Sequence, residues 1–425
     1  MADDVLLDMR HFQEIRVELR GGRHWITAGA GCQIKQLLVE LARQSAGTLP
    51  SLGLITEQTI AGAISTGTHG SGNPSMSHFV DEVRVATYDT ANGEPVILTI
   101  NLDCELRAAR CSLGALGVIV SVGFWSRPQY FVEEHFQRYS NIDSILEVEE
   151  DYPLQQFFLL PWLWQFVAQH RRETLRPRSR WATLYRWYFF LLFDIGLHLL
   201  VLLAARVLRS PRIVRLLFRQ VAPRMVIRNW KVIDESSKML VMEHELFRHI
   251  ECEVFVPRSR LLDAIRLVVR LLKHFDGDPS ALDVDTRKKM QELGFAREID
   301  DHCGTYTHHY PICVRRVLPD DTLISMSSGG TDPYYALSFI SYAGPTDRKG
   351  FVTFADVLSR VTGTMFDARP HWGKICPLTA PEAARLYPQL LKFREIVRRN
   401  DPGGVFRNDW INRTLFAESP ENRAP

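Results

Sequence analysis

The stretch "GLITEQTIAGAISTGTHGSG", residues 53–72, gathers five glycines and six hydroxyl residues around a single charge, Glu57. Glycines at 62, 67, 70 and 72 would let backbone N–H groups approach a pyrophosphate or an aromatic ring with no Cβ in the way. Thr59, Ser65, Thr66 and Thr68 add neutral donors, which suit a bound group whose own charge must not be overwhelmed. A glycine-rich structural loop is the alternative. The apolar Leu54, Ile55, Ile60, Ala63 and Ile64 inside the stretch argue for a loop that is buried when something else is present. Two other patterns are weaker. "AGAG" at 28–31 lacks the spacing and acidic partner of a dinucleotide fingerprint and reads as a turn at a strand end. His302, Cys303, His308 and His309 match no standard zinc spacing, and adjacent histidines on a strand face opposite ways. They read as structural or solvent-facing, and no metal site is assigned.

Three further segments give the loop a context. "LPSLG…EQTIAGAISTGTHGSG", then "SLGALGVI" at 112–119, then "PHWGK" at 370–374, resemble the aldonolactone and alditol oxidases, flavoenzymes of the vanillyl-alcohol-oxidase type. "DPGGVFRNDW" at 401–410 resembles their closing segment. The resemblance implies FAD bound in an extended form between two α+β halves, with a sheet-based substrate domain capping the isoalloxazine. At the family's contact positions stand Thr59, Gly62, Thr66, Gly67, Thr68 and His69 in the loop, and Gly117, Val118 and Ile119 in the turn. It also implies that His371 sits against the flavin and that Lys374 reaches the substrate. A cation there stabilises the negative charge that arrives with the hydride. The implied reaction oxidises the CH–OH of a sugar lactone or polyol, D-arabinono-1,4-lactone foremost, with oxygen or another acceptor taking the electrons.

Two departures limit the transfer. The family's GxGHS phosphate loop, whose histidine often holds the flavin covalently, is absent upstream of Leu7, so a shortened cofactor domain is expected and no covalent histidine is assigned. The family's Glu-x-Arg strand reads here "YPICVRRV", with Cys313 in place of the glutamate and Arg315 in place of the arginine. Residues two apart share a strand face, so Arg315 can still orient a hydroxyl, while Cys313 cannot supply the carboxylate.

The elements that must hold these residues are legible in outline. "HWITAGAGCQIKQLLVELARQSAG" gives a strand, a glycine turn and a helix, and "VDEVRVATYDTANGEPVILTI" gives a hairpin. "VLLDMRHFQEIRVEL" reads as strand material, "ECEVFVPRSRLLDAIRLVVRLLKHF" as a strand and an amphipathic helix, and "YPICVRRV", "TLISMSSGG" and "YALSFISYA" as three successive strands. "TAPEAARLYPQLLKFREIVRRNDPGG" reads as one helix stopped by Pro402-Gly403. The fold class is α+β, divided as a cofactor domain over 1–128, a substrate domain over 129–400 and a returning segment over 401–425.

Composition agrees with a globular chain: 46% hydrophobic, 24% charged and a net charge of +2, which gives no reason to expect nucleic acid. Seven scattered cysteines suit a reducing compartment, and no signal peptide is expected from the N-terminal residues, which place two acids before any basic run. One tract stands apart. Residues 175–233 hold eleven arginines, one lysine and a single acid, Asp194, around the apolar run "WYFFLLFDIGLHLLVLLAA" at 187–205. Nineteen residues with a central acid leave a spanning helix, an interfacial helix and a packed helix all open; membrane contact through 187–224 is expected. Two rival functions follow from these features. The missing phosphate loop and Cys313 suit a non-catalytic, membrane-attached flavin-domain protein. The basic apolar tract suits a dehydrogenase of lipid-like alcohols.

Overall fold

Two antiparallel sheets carry the chain in the computed structural model, which describes residues 7–242, 248–342, 344 and 348–417. The first is built from β1 (Ile15–Arg20), β2 (Arg23–Gly29), β3 (Val80–Tyr88), β4 (Pro95–Ile100) and β5 (Val118–Trp125), in the order β1-β2-β5-β3-β4. The second has eight strands: β6 (Phe131–Tyr139), β7 (Gln156–Leu160), β8 (Gln165–Thr174), β9 (Val232–Glu235), β10 (Ile250–Pro257), β11 (Ile312–Val317), β12 (Tyr334–Ser341) and β13 (Arg369–Pro370). Their order is β13-β10-β12-β11-β7-β8-β6-β9. Sheets and helices in this mixture make the α+β class expected from the sequence.

Side-chain alternation gives the second sheet two unlike faces. Phe157, Leu159, Val254, Val256, Val314 and Leu337 point into a core closed by the helices Leu261–Phe275 and Lys349–Phe366. Their sequence neighbours Gln156, Phe158, Glu253, Cys313 and Arg315 point the other way and floor a cavity. The first sheet shares a separate core with the helix Ile34–Arg43 and with the end of the chain, where Trp372, Leu390, Phe393, Val397 and Leu415 are buried against it.

Four readings of local structure change. "TLISMSSGG" forms no strand: the hydroxyls of Ser75, Thr322, Ser325 and Ser327 all donate to the buried carboxylate of Asp320, which rolls the backbone into turns. Short polar side chains compete with the sheet ladder in this way. The single helix read over 379–400 is two, Ala380–Leu386 and Leu390–Asn400, because Pro388 cannot continue the first. The strand read from Val5 begins only at Ile15, and Val5 and Leu6 lie outside the described residues. His308 and His309, placed on a strand in the sequence, lie on irregular backbone ahead of β11; both are buried, bonded to Tyr306 (2.8 Å) and to the Tyr342 N–H (3.0 Å).

The basic apolar tract is a helix over Ala182–Val207, followed by helical turns over 211–225. Leu197, Val201 and Ala204 on the first and Val214, Leu217 and Phe218 on the second pack together against Trp162 and Tyr342. The outer side is apolar as well: Leu184, Trp187, Leu191, Leu199 and Leu203 are exposed. We call this helical pair the hood.

Candidate active site

The glycine-rich loop is held from both ends. Thr59 caps the helix Ile60–Ser65 by accepting from the Gly62 N–H at 3.3 Å. Beyond it the chain is pinned by close backbone approach. A Cβ at Gly72, whose φ is +80°, would lie 2.0 Å from the Pro153 carbonyl oxygen, and the Gly72 N–H donates to Arg316 O at 2.7 Å. A Cβ at Gly70 would lie 2.3 Å from Leu52 O. At these two positions, then, glycine is required by the protein's own backbone, whereas the sequence suggested room for a ligand.

Between these anchors the loop turns Thr66, Thr68 and His69 into a cavity of about 730 Å³. His371, Gly373 and Lys374 of the "PHWGK" segment enter from the opposite side, and Cys313 and Arg315 rise from β11. The two loops touch: a Cβ at Gly373 would sit 3.2 Å from the Thr66 hydroxyl. Of the residues singled out in the sequence, Thr66, Thr68, His69, Cys313, Arg315, His371 and Lys374 therefore meet in one place. Thr59, Gly62, Gly67, Gly117, Val118 and Ile119 do not line this cavity. Val118 and Ile119 pair with Ala86 and Val85 in the first sheet, and Gly117 precedes them at φ +132°.

The charges of the site were only half visible beforehand. Lys374 Nζ lies 2.5 Å from Glu251 and 2.6 Å from Glu253, two acids of β10 that sequence analysis passed over. Glu253 is fully buried; it also accepts from the Ser338 hydroxyl at 2.5 Å and faces His69 Nε2 at 3.5 Å and Arg315 Nη1 at 3.7 Å. Register explains this convergence. Cys313 pairs with Ser338, and Ser338 pairs with Glu253, so the three form one row across β11, β12 and β10. Hence the carboxylate that position 313 lacks reaches Arg315 from two strands away. The available signal was "ECEVF": two acids at i and i+2 in an apolar strand share a face, and buried acids are nearly always paired.

Two cations and two carboxylates make the cluster electrically neutral. Burial alone would raise the Glu251 pKa, but the Lys374 ammonium and a hydrogen bond from His249 outweigh it and hold it at about 2. Glu253 is likewise held well below the usual carboxylate range by Lys374 and His69 despite its burial. Burial disfavours the Lys374 charge, yet Glu251 and Glu253 more than compensate and shift its pKa upward. Burial first, then Lys374, pushes His371 down to about 3, so its ring is neutral at pH 7. Its Nδ1 accepts from the Gly373 N–H at 3.0 Å, which leaves the proton on Nε2 as a donor.

A pH test follows from Glu251. Its folded pKa is below its unfolded value, so the stability it contributes is complete above about pH 4.5 and is lost as pH falls toward 2. Glu251→Gln is expected to be less stable than the parent at pH 7, on the order of 2 to 3 kcal/mol. Urea unfolding at a series of pH values should show the two curves converging below pH 4; a gap independent of pH would contradict the assignment.

Residues 137–414 match the D-arabinono-1,4-lactone oxidase family, and residues 1–99 match an FAD-binding domain. The chain belongs to the D-arabinono-1,4-lactone oxidase family. A long-chain alcohol oxidase from an uncultured marine euryarchaeote is 52% identical over 98% of this chain and 87% of its own length. An L-gulono-1,4-lactone dehydrogenase of Mycobacterium tuberculosis is 27% identical over 97% and 86%. Among solved structures, cholesterol oxidase from B. sterolicum superposes with a TM-score of 0.68 over 96% of this chain and 84% of that one. At 15% identity that likeness concerns the fold alone. This family member is accordingly an FAD-dependent oxidoreductase, and nothing in these likenesses supports the non-catalytic alternative. The donor set fits the cofactor: neutral hydroxyls and a neutral imidazole line the cavity together with the partly buried Lys374 ammonium.

Proposed function

We propose that this enzyme oxidises a long-chain primary alcohol to the aldehyde, taking its substrate from a membrane surface under the hood. The observation that carries this reading is the make-up of the cavity wall. Arg315, Lys374 and His371 line it together with Phe189, Phe190, Phe193 and Leu197 of the hood, whose Arg186, Asp194 and His198 also face it. Thr183 and Trp187 both line the cavity and are exposed, so it reaches the molecular surface among the outward leucines. The relative with 52% identity, a long-chain alcohol oxidase, supports the same reading.

In this scheme Thr66, Thr68, His69 and His371 hold the flavin ring, and Arg315 and Lys374 bind the alcohol oxygen. Bound FAD supplies the acceptor for the hydride and the route for the electrons to oxygen or another acceptor. Cys313, whose pKa is raised by burial, stays a neutral thiol beside the reacting carbon. The neutral sum of Arg315, Lys374, Glu251 and Glu253 suits an uncharged alcohol, since an acid or an amine would unbalance a buried set. The polar side chains alone also suit a sugar lactone or polyol, the substrate expected from the sequence.

The hood's outer face meets the requirements of an interfacial element: exposed leucines flanked by the exposed Arg206, Arg212 and Arg224, which favour anionic lipid. The helix Ala182–Val207 is long and apolar enough to span a bilayer, but its inner face is packed on the sheet domain. We therefore favour a helix lying in the membrane surface, on the side of a reducing compartment.

A chain-length series decides between the substrates. Each buried methylene is worth about 0.8 kcal/mol, so kcat/KM should rise about fourfold per added carbon from butanol to decanol. A flat series together with efficient oxidation of D-arabinono-1,4-lactone or a polyol would replace the long-chain reading with the sugar one.

A further inference from the structure

A chain of side-chain hydrogen bonds runs across the cavity floor from Arg315 to the hood. Arg315 Nε donates to Gln156 Oε1 at 3.2 Å, and Gln156 Nε2 donates to Gln169 Oε1 at 2.6 Å. Gln169 Nε2 donates to Glu134 Oε2 at 2.8 Å, and the other oxygen of Glu134 accepts from the Tyr185 hydroxyl at 2.5 Å. Glu134, Gln156, Gln169 and Tyr185 are all buried, and Tyr185 belongs to the first helix of the hood. The register sets this path: Arg315 pairs with Gln156, and Gln156 with Gln169, in one row over β11, β7 and β8. Directly opposed side chains on one sheet face are about 5 Å apart, within reach of one another.

The chemistry of the two ends fixes the direction of every bond between them. A carboxylate only accepts, so Gln169 must turn its NH₂ to Glu134 and its carbonyl to Gln156. A guanidinium only donates, so Gln156 must turn its carbonyl to Arg315 and its NH₂ to Gln169. Both ends demand the same orientation of both amides, and neither amide can flip without stranding buried donors against donors. Arg171 Nε donates to the same oxygen of Glu134 at 2.5 Å, a second donor at that end of the chain.

We infer that Glu134, Gln169 and Gln156 are positioning residues that aim the Arg315 guanidinium at the substrate oxygen, and that Tyr185 ties this aim to the seating of the hood. With Nε committed to Gln156 and Nη1 facing Glu253, the plane of the guanidinium is set where Arg315 lines the cavity. The inference rests on the proposed contact between Arg315 and the alcohol oxygen. Through Tyr185, a hood held in its native seat favours an aligned arginine, and a displaced hood releases it.

Gln169 never touches Arg315, which makes Gln169→Met the informative variant. The FAD-loaded enzyme should lose about tenfold in kcat/KM, the size expected for one buried polar link. In an Arg315→Lys background the same change should add almost nothing, because the relay has lost its target. Tyr185→Phe, which removes one hydroxyl and keeps the packing, should cost about threefold. A second readout needs neither turnover nor cofactor: in arginine-labelled protein without FAD, the Nε–H resonance of Arg315 should move in both variants and lose protection from exchange. Additive losses in the two backgrounds, or an unmoved resonance, would overturn the relay. An Arg315→Lys enzyme of unchanged kcat/KM would instead refute the substrate contact, and with it the relay's catalytic meaning, whatever the resonance does.

Discussion

Lys374→Met is expected to lose both stability and activity, the first because the buried Glu253 and the partly buried Glu251 would lose the ammonium that both contact. Glu251 and Glu253 each lie within 2.6 Å of the ammonium, and the lysine is their shared counter-charge. Removing one partner of a buried ionic group costs about 3 to 5 kcal/mol, far more than the intact group contributes. The sign of the pH dependence follows. Without Lys374 the carboxylate pKa values must rise, so the variant should recover part of its deficit as pH drops from 7 to 5, where one acid takes up a proton. Urea unfolding at both pH values measures this. The double variant Lys374→Met/Glu253→Gln removes one buried charge and should regain part of the loss, which separates a charge effect from lost packing. Activity should fall by about a hundredfold or more, the usual cost of deleting a group that answers charge developing in the reaction. An active, stable Lys374→Met enzyme would place the chemistry elsewhere in the cavity.

The hood should yield the second large effect. Leu184, Leu191 and Leu199 are exposed on its outer side and none lines the cavity. Changing all three to aspartate removes apolar surface worth about 1.5 kcal/mol or more per leucine and adds repulsion from anionic lipid. Co-sedimentation with vesicles containing phosphatidylserine is expected to fall by more than a hundredfold, while oxidation of a short, water-soluble alcohol stays at the parental rate. Oxidation of decanol presented in those vesicles should fall with binding. Raising salt should weaken the parent's binding, since exposed arginines act over only about 10 Å at 0.1 M. Undiminished vesicle binding by the triple variant would mean that the exposed leucines serve some contact other than a bilayer.

These two expectations differ in how far they could be seen in the sequence. The apolar run with its arginines is a local pattern, so membrane contact could be expected from residues 175–233 alone. Its actual limits, Ala182–Val207, and the division of its apolar residues between a packed and an exposed side needed the packing of Leu197, Val201 and Ala204 on Trp162 and Tyr342. The "PHWGK" segment similarly announced Lys374 and His371, but gave no hint of Glu251 and Glu253, which lie more than a hundred residues earlier in the chain.

What the sequence determined by itself is whatever depends on short range. Strand alternation set the faces of β10 and β11; glycines marked the loop at 53–72; four motifs in their order marked the family. Sequence failed where hydroxyls converged on a distant acid, as at Asp320, and where Pro388 split a helical pattern in two. Tertiary structure alone decided the charge balance of the site, because strand register between β10, β12 and β11 sets which carboxylate meets Arg315. It alone decided the polar chain to Tyr185 and the meeting of polar and apolar walls in one cavity. The physical reason is common to all of these. Period and composition act between residues a few positions apart, whereas ion pairs and amide orientation act over a few ångströms, and only the sheet's pairing brings such distant residues within that range.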